Sequence, residues 1–243
     1  TKFGLEDTVA GRAKVIRGGI RHGTTRWDLR EVLSIDYLRE TFNIGYGNQT
    51  TDLLIPSANY TWLNSDDAIF PRQGLRVDAN MAGSLEGVGS QLSFVRFRLY
   101  SKGVYSLNDE NRLIARGQLG AMFTNDFDRM PITERFYAGG APTVRGYRLF
   151  EISPVNERGT RTGGRNLAVA SLEYDRRLFG DWGIAAFSDV GYVGNDWNGA
   201  LKTGVGIGAR WRSPVGPVRL DVGVPLAKAQ DPVQVYLILG PDL

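Results

Sequence analysis

Apolar and polar residues alternate along most of this chain. In "LRVDANMAG", Leu75, Val77, Ala79 and Met81 fall on one face and Arg76, Asp78 and Asn80 on the other, the period-two pattern of a strand with one apolar face. "SFVRFRLY" sets Val95, Phe97 and Leu99 against Arg96 and Arg98, and "RLIARGQLG" sets Leu113, Ala115 and Leu119 against Arg116 and Gln118. "GVGIGARWR" places Val205, Ile207, Ala209 and Trp211 opposite Gly206, Gly208, Arg210 and Arg212, and "VRLDVGV" places Val218, Leu220, Val222 and Val224 opposite Arg219 and Asp221. Further strands are expected in "REVLSIDYLRETF", "TDLLIPSANYTWL", "NLAVASLEYDRRL", "WGIAAFSDVGYVG" and the terminal "VQVYLILGPDL", with a weaker one near Thr1 to Glu6. The count is about eleven, or twelve if Arg12 to Gly23 forms its own strand.

Alternation alone fits two architectures. In a soluble sandwich the apolar face packs inward; in a membrane barrel it meets lipid and the charged face lines the lumen. Three features favour the barrel. Several strands reach the nine to eleven residues that cross a bilayer at a tilt. Aromatics sit near strand ends, at Tyr60, Trp62, Phe70, Tyr100, Phe123, Trp182, Tyr192, Trp197 and Trp211, where an interfacial girdle places them. Connections alternate in length: "SPVGP" and "NDENR" are tight, whereas Phe123 to Asn166 is a long insert, and such inserts are usually functional.

Composition narrows the function. The 243 residues include 31 glycines and 11% aromatics, which suits strands and turns rather than a helical bundle. Cysteine is absent and His22 is the single histidine, so neither a disulfide framework nor a histidine or thiolate metal site is expected. No catalytic residue, metal or cofactor is assigned. A net charge of +3 from 29 basic and 26 acidic residues, well mixed along the chain, leaves no stripe for nucleic acid. No signal peptide opens the chain, and no apolar run is long enough for a membrane helix. "GVGIG" at Gly204 to Gly208 lies within a strand without a following helix, so its glycines are expected to serve close packing rather than a nucleotide.

The insert carries the most specific signal, "RFYAGGAPTVRGYRLFEISP" from Arg135 to Pro154. Together with "TGG" at Thr162 to Gly164, "SLEY" at Ser171 to Tyr174, "FSDVG" at Phe187 to Gly191, "KTGVGIGARWRSPVGPVRLDVGVP" and the terminal "LGPDL", it resembles the TamA/BamA-type outer-membrane protein assembly barrels, most of all the C-terminal barrel region of TamA. The resemblance is strongest from Leu53 onward. It implies an all-β, antiparallel transmembrane barrel over residues 1–243, with the 124–166 loop folded into the lumen. Members of the family carry periplasmic POTRA domains before a barrel of about sixteen strands, so this chain is expected to be the C-terminal portion, lacking those domains and the first strands.

The resemblance also assigns roles. Val144, Arg145, Gly146 and Tyr147 form the loop motif: Arg145 supplies a fixed, forked cation and Gly146 a sharp turn. Glu173 shares a face with Ser171, opposite Leu172 and Tyr174, and Asp189 shares one with Phe187, opposite Ile184 and Ala186. Both carboxylates are implied as lumenal partners of Arg145. The last strand contributes a thinly paired lateral seam at Val233, Val235, Leu237 and Leu239, with Gly240 beside it. The implied function is non-enzymatic insertion or translocation of outer-membrane proteins, such as autotransporters, in the bacterial outer membrane. Its partners are membrane lipids, client outer-membrane proteins and a periplasm-spanning partner engaged through the POTRA domains, with no nucleic acid. The alternatives are a two-partner secretion transporter for one exported protein and a passive porin-like barrel.

Overall fold

A computed structural model describes residues 2–8, 11–214, 216–227 and 233–243, with side chains from residue 13 onward. Twelve strands follow one another in chain order: β1 (Lys2–Thr8), β2 (Gly11–Arg26), β3 (Leu29–Asn43), β4 (Asn48–Ser65), β5 (Gln73–Ser84), β6 (Phe94–Ser106), β7 (Asn111–Thr124), β8 (Asn166–Phe179), β9 (Trp182–Gly194), β10 (Lys202–Ser213), β11 (Gly216–Pro225) and β12 (Gln234–Leu239). Each pairs antiparallel with its sequence neighbours in a single sheet. The higher of the two expected counts is therefore the observed one, because the Arg12 to Gly23 segment lies within β2. Among the described residues no ladder joins β1 to β12.

The sheet cannot be flat. The 125–165 loop touches β2 through Glu134 and Arg17, 3.0 Å apart, and touches β12 through the Tyr147 carbonyl and Tyr236, 2.8 Å apart. Ten strand spacings laid flat would span roughly 50 Å. One loop meets both strands only if the wall curls around it.

At one end the connections 27–28, 107–110 and 180–181 are short and 66–72 is the longer exception; at the other, 44–47 is short and 85–93, 125–165 and 195–201 are longer. This asymmetry is that of transmembrane barrels, with short turns on the periplasmic side and longer loops outside. The outer face is apolar: Leu75, Met81, Val95, Phe97, Leu99, Leu172, Ile184, Ile207 and Leu220 are all exposed. At its short-turn margin, Trp182 stacks on Trp211 at 5.6 Å. Pro56 is tolerated inside β4 because β4 and β5 pair only from Ser57 onward, so its missing N–H breaks no rung there.

Two expectations are corrected. Tyr100 lies on the lumenal face with Arg96 and Arg98, and Tyr192 is buried against Trp197, with ring centroids 5.7 Å apart, so neither belongs to the exposed girdle. The lumen, expected to be polar, is divided. Toward the long-loop end, Leu38, Phe42, Leu53, Ile55, Phe94 and Met122 point inward and pack on Met130, Ile132, Phe136 and Val144 of the loop. Burying that many large side chains stabilises the loop by roughly 1.5–3 kcal/mol for each before entropy is subtracted. A loop without regular structure stays inside because it brings its own core.

Candidate functional site: the pinned loop and the last strand

The loop is held at its base and at its tip. At the base, a single 3-10 turn (Ile132–Glu134) directs its free N–H groups at Glu40 of β3. The Glu40 carboxylate, 0% exposed, accepts from the Ile132 N–H at 2.8 Å and from the Thr133 N–H and hydroxyl, as a helix start favours an anion. Glu134 answers Arg17 of β2 and Arg96 of β6. The Phe136 ring occupies the space that a side chain at Gly120 of β7 would fill, with Arg98 beneath it at 5.3 Å.

At the tip sits Arg145, 4% exposed. Its Nε donates to Asp189 Oδ2 at 2.8 Å and its Nη2 to Asp189 Oδ1 at 3.0 Å; Nη1 donates to Glu173 Oε2 at 2.5 Å and to Asp221 Oδ2 at 2.9 Å. Its backbone N–H also reaches Asp189, at 2.9 Å, and its guanidinium lies over the Phe187 ring at 3.5 Å. Burial alone would weaken the charge, but the hydrogen bonds and charges of Asp189 and Glu173 outweigh it and raise the guanidinium above its usual range. Arg145 is a permanent cation here. Arg210 of β10 joins the cluster, donating to Glu173 at 2.7 Å and to Asp221 at 2.6 Å.

The structure thus brings together Arg145, Glu173 and Asp189. Asp221, Arg210 and Tyr236 complete the arrangement and were not singled out from the sequence. Asp221 lies on the polar face of "VRLDVGV", so its inward direction was readable, but its partner was not.

Backbone proximity is the second element of the site. Val144, fully buried, fills the place that a side chain at Gly191 would take. The Arg145 carbonyl occupies the corresponding place at Gly204, and Gly146 packs on Gly223. Gly204 of "GVGIG", with Gly191 and Gly223 on the neighbouring strands, therefore admits the loop, whereas Gly206 and Gly208 admit Phe187 and Asp221. Gly146 itself has φ +95°, in the left-handed region where glycine is favoured, and a side chain there would come within 2.6 Å of the Val224 carbonyl carbon. Tyr147 is buried, 3% exposed.

The same motif reaches the last strand. The Tyr236 hydroxyl of β12 accepts from the Gly146 N–H at 2.9 Å and donates to the Tyr147 carbonyl at 2.8 Å. Around it Val235, Leu237 and Leu239 face outward and are exposed, while β12 pairs with β11 from Val218↔Leu239 to Gly223↔Gln234. Val233, expected in the seam, precedes the strand and is exposed. Gly240 has φ +124° and turns the chain into the lumen. There the buried Asp242 meets Arg112 of β7 at 2.7 Å and also Arg219 of β11. The Leu243 side chain lies where one at Gly74 of β5 would be.

Tyr236→Phe is expected to strip the Gly146 N–H of its hydroxyl partner and to leave the Tyr147 carbonyl with the Gly140 N–H at 3.0 Å, at about 1–3 kcal/mol. Amide exchange should quicken in β12 and at Gly146 while β8 and β9 stay protected. Equal quickening in all three strands would separate Tyr236 from the seam.

Among the described residues no group of histidine, cysteine, aspartate and glutamate is placed to hold a metal ion, and no helix is long and apolar enough to cross a membrane. The cluster's carboxylates are all engaged by guanidinium groups, so its chemistry is that of an anchor.

An antiparallel meander with a lipid-facing apolar exterior, wound around an arginine-pinned internal loop, defines an integral β-barrel of the outer membrane. The chain belongs to the Omp85 superfamily, whose domain it matches over residues 19–240. It is 35% identical over 152 residues to the outer membrane protein assembly factor BamA of Nitratidesulfovibrio vulgaris; the match takes in 59% of this chain and 19% of that protein. Among solved structures it resembles BamA from Haemophilus ducreyi lacking POTRA domains 1-3, with a TM-score of 0.79 at 18% identity over 96% of this chain and 56% of that one. It also resembles CdiB from Escherichia coli, with a TM-score of 0.60 at 16% identity over 93% of this chain and 45% of that one. The chain therefore spans little more than half of the BamA structure and a smaller share of the other two. The domain match places it in the superfamily that the loop motif implied, and none of these relatives is TamA.

Proposed function

We infer that this barrel assists the insertion of other β-barrel proteins, autotransporters among them, into the outer membrane by presenting the edge of β12 to a client strand. The observation that carries this reading is the shortness of the last ladder: among the described residues β12 pairs with β11 through six residues, Gln234 to Leu239, where β10 and β11 pair through ten. In lipid an unpaired N–H or C=O costs several kcal/mol, so an edge strand there is a template for strand addition. Its outward residues, Val235, Leu237 and Leu239, already meet the requirements of the lipid face. The role is non-enzymatic: the barrel lowers the cost of inserting a strand and makes or breaks no covalent bond. Periplasmic domains preceding the barrel would deliver the client and engage a periplasm-spanning partner. The likeness to the BamA relatives supports the assembly role over a two-partner secretion transporter or a passive porin.

The chain has no cysteine, which makes the test clean. Single cysteines at Val235, Leu237 and Leu239, paired with a cysteine scanned along a client's terminal strand, are expected to form disulfides in one antiparallel register, because directly opposed Cβ atoms lie about 4.5–5.5 Å apart. Cross-linking without register, or equal cross-linking to a cysteine at Leu172 in the middle of the wall, would overturn the reading. A porin would instead give a steady ion current unchanged by Arg145→Ala.

A further inference from the structure

Below the loop, toward the short-turn end, the lumen opens into a cavity of about 570 Å³ against the inner faces of β2 to β6. Its charges do not balance. Arg17 and Arg21 of β2, Arg30 of β3 and Arg96 of β6 line it, together with one carboxylate, Asp36. Asp36 is shared by Arg21 at 3.6 Å and Arg17 at 4.0 Å. Glu134, at the cavity's upper edge, is shared by Arg17 and Arg96. Among the described residues three guanidinium groups thus divide two carboxylates, and the fourth, Arg30, has no ion pair. The Nε atoms of Arg17 and Arg96 are buried donors without a hydrogen-bond partner, although buried donors are normally satisfied. Arg21 and Arg30 take no part in holding the loop.

Beside the arginines runs a neutral polar strip. Ser34 bonds Ser57 at 2.8 Å across β3 and β4, and Asn80 donates to Asn59 at 2.7 Å across β4 and β5. The asparagine pair retains further donors and acceptors that can turn toward the cavity; the serine pair, in which Ser34 also donates to Asp36 at 3.3 Å, retains acceptor lone pairs.

We propose that this chamber is a binding site for a phosphorylated polyol, with the phosphate on Arg17, Arg21, Arg30 and Arg96 and the hydroxyls on the serine and asparagine strip. Two unbalanced positive charges suit a dianionic phosphate better than a single carboxylate, and the forked guanidinium matches phosphate oxygens in pairs. The volume lies within the range of small-molecule sites, about 300–1,000 Å³, and exceeds what a bare phosphate fills. Such a group is carried by soluble sugar phosphates and by glycerophosphate lipid headgroups.

The test is calorimetric titration of the detergent-solubilised, full-length protein with glucose 6-phosphate and with glycerol 3-phosphate at fixed ionic strength. Saturable binding at one site per chain is expected, with unphosphorylated glucose inert. Arg21→Gln combined with Arg30→Gln removes two solvent-facing donors outside the Arg145 cluster. It should weaken binding roughly tenfold or more, as the loss of charge-assisted bonds implies, without changing heat-modifiable gel mobility. Asn59→Ala should weaken the sugar phosphate and leave inorganic phosphate unaffected. Arg26→Gln, on the outward face of β2, should change nothing. Displacement by short-chain phosphatidylglycerol in preference to glucose 6-phosphate would assign the group to a lipid, and the opposite preference to a soluble compound. Absence of saturable binding, or equal weakening by Arg26→Gln, would overturn the site.

Discussion

Arg145→Ala is expected to release the tip of the internal loop while leaving the barrel wall folded. The substitution leaves Glu173, Asp189 and Asp221 facing one another with Arg210, among the described residues, as the one remaining cation that bonds any of them directly, and Arg116 at 4.0 Å from Asp189. Removing one partner of a buried ion pair costs about 3–5 kcal/mol, mostly through the charge left behind. The wall should survive, because its ladders and the hydrophobic base of the loop do not pass through Arg145. Three readouts follow: a retained heat-modifiable band with a lowered unfolding midpoint, new protease cleavage within residues 138–152, and loss of client assembly. Arg145→Lys should behave almost as badly, since an ammonium cannot reproduce a fork that engages three carboxylates at once. Full loop protection together with full assembly in either variant would sink the anchor.

Gly204→Ala should displace the same loop without altering any charge. A β-carbon ordinarily improves a strand glycine, so local propensity predicts a small gain. Here the added carbon would overlap the Arg145 carbonyl oxygen, and overpacking of this kind costs about 1–3 kcal/mol or more. The expected result is a cleavage pattern like that of Arg145→Ala. Gly18→Ala, at a strand glycine of β2 with open space around it, serves as the control for a general glycine effect. A Gly204→Ala protein more stable than its parent, with its loop still protected, would show that the close approach does not position the loop.

Much of the wall was legible because the requirement is local: each strand must present alternate residues to lipid, and Leu75, Val77, Ala79 and Met81 state that requirement within nine positions. The inner face was harder. Alternation marks Arg96, Arg98 and Asp221 as inward, but it assigns Leu38, Leu53 and Ile55 to the same inward face without saying what covers them. The answer lies about eighty residues away, in Met130, Ile132 and Phe136. "TDLLIP" held a signal, since Leu53, Leu54 and Ile55 are apolar on both faces and a wall facing a polar lumen would not be. Arg145, Glu173 and Asp189 came from the likeness of the loop motif to a family, not from spacing. Tyr236 alternates with Val235 and Leu237, but nothing near it in the chain indicates that its hydroxyl serves the backbone of Gly146 and Tyr147. Contacts across many strands depend on the curvature of the whole sheet, which no local pattern encodes.

The inward turn at Gly240 has a consequence for β12 as a ruler. A strand slipping by two residues keeps its faces correct, and only about 6.6 Å of travel separates one such pairing from the next. The six residues of β12 alone would hold their place weakly. Asp242, bound to Arg219 within that ladder and to Arg112 on β7 outside it, ties the strand to a distant wall, so a slipped β12 must first abandon a buried ion pair. Whatever strand is laid against this edge is therefore read in a register set from across the barrel.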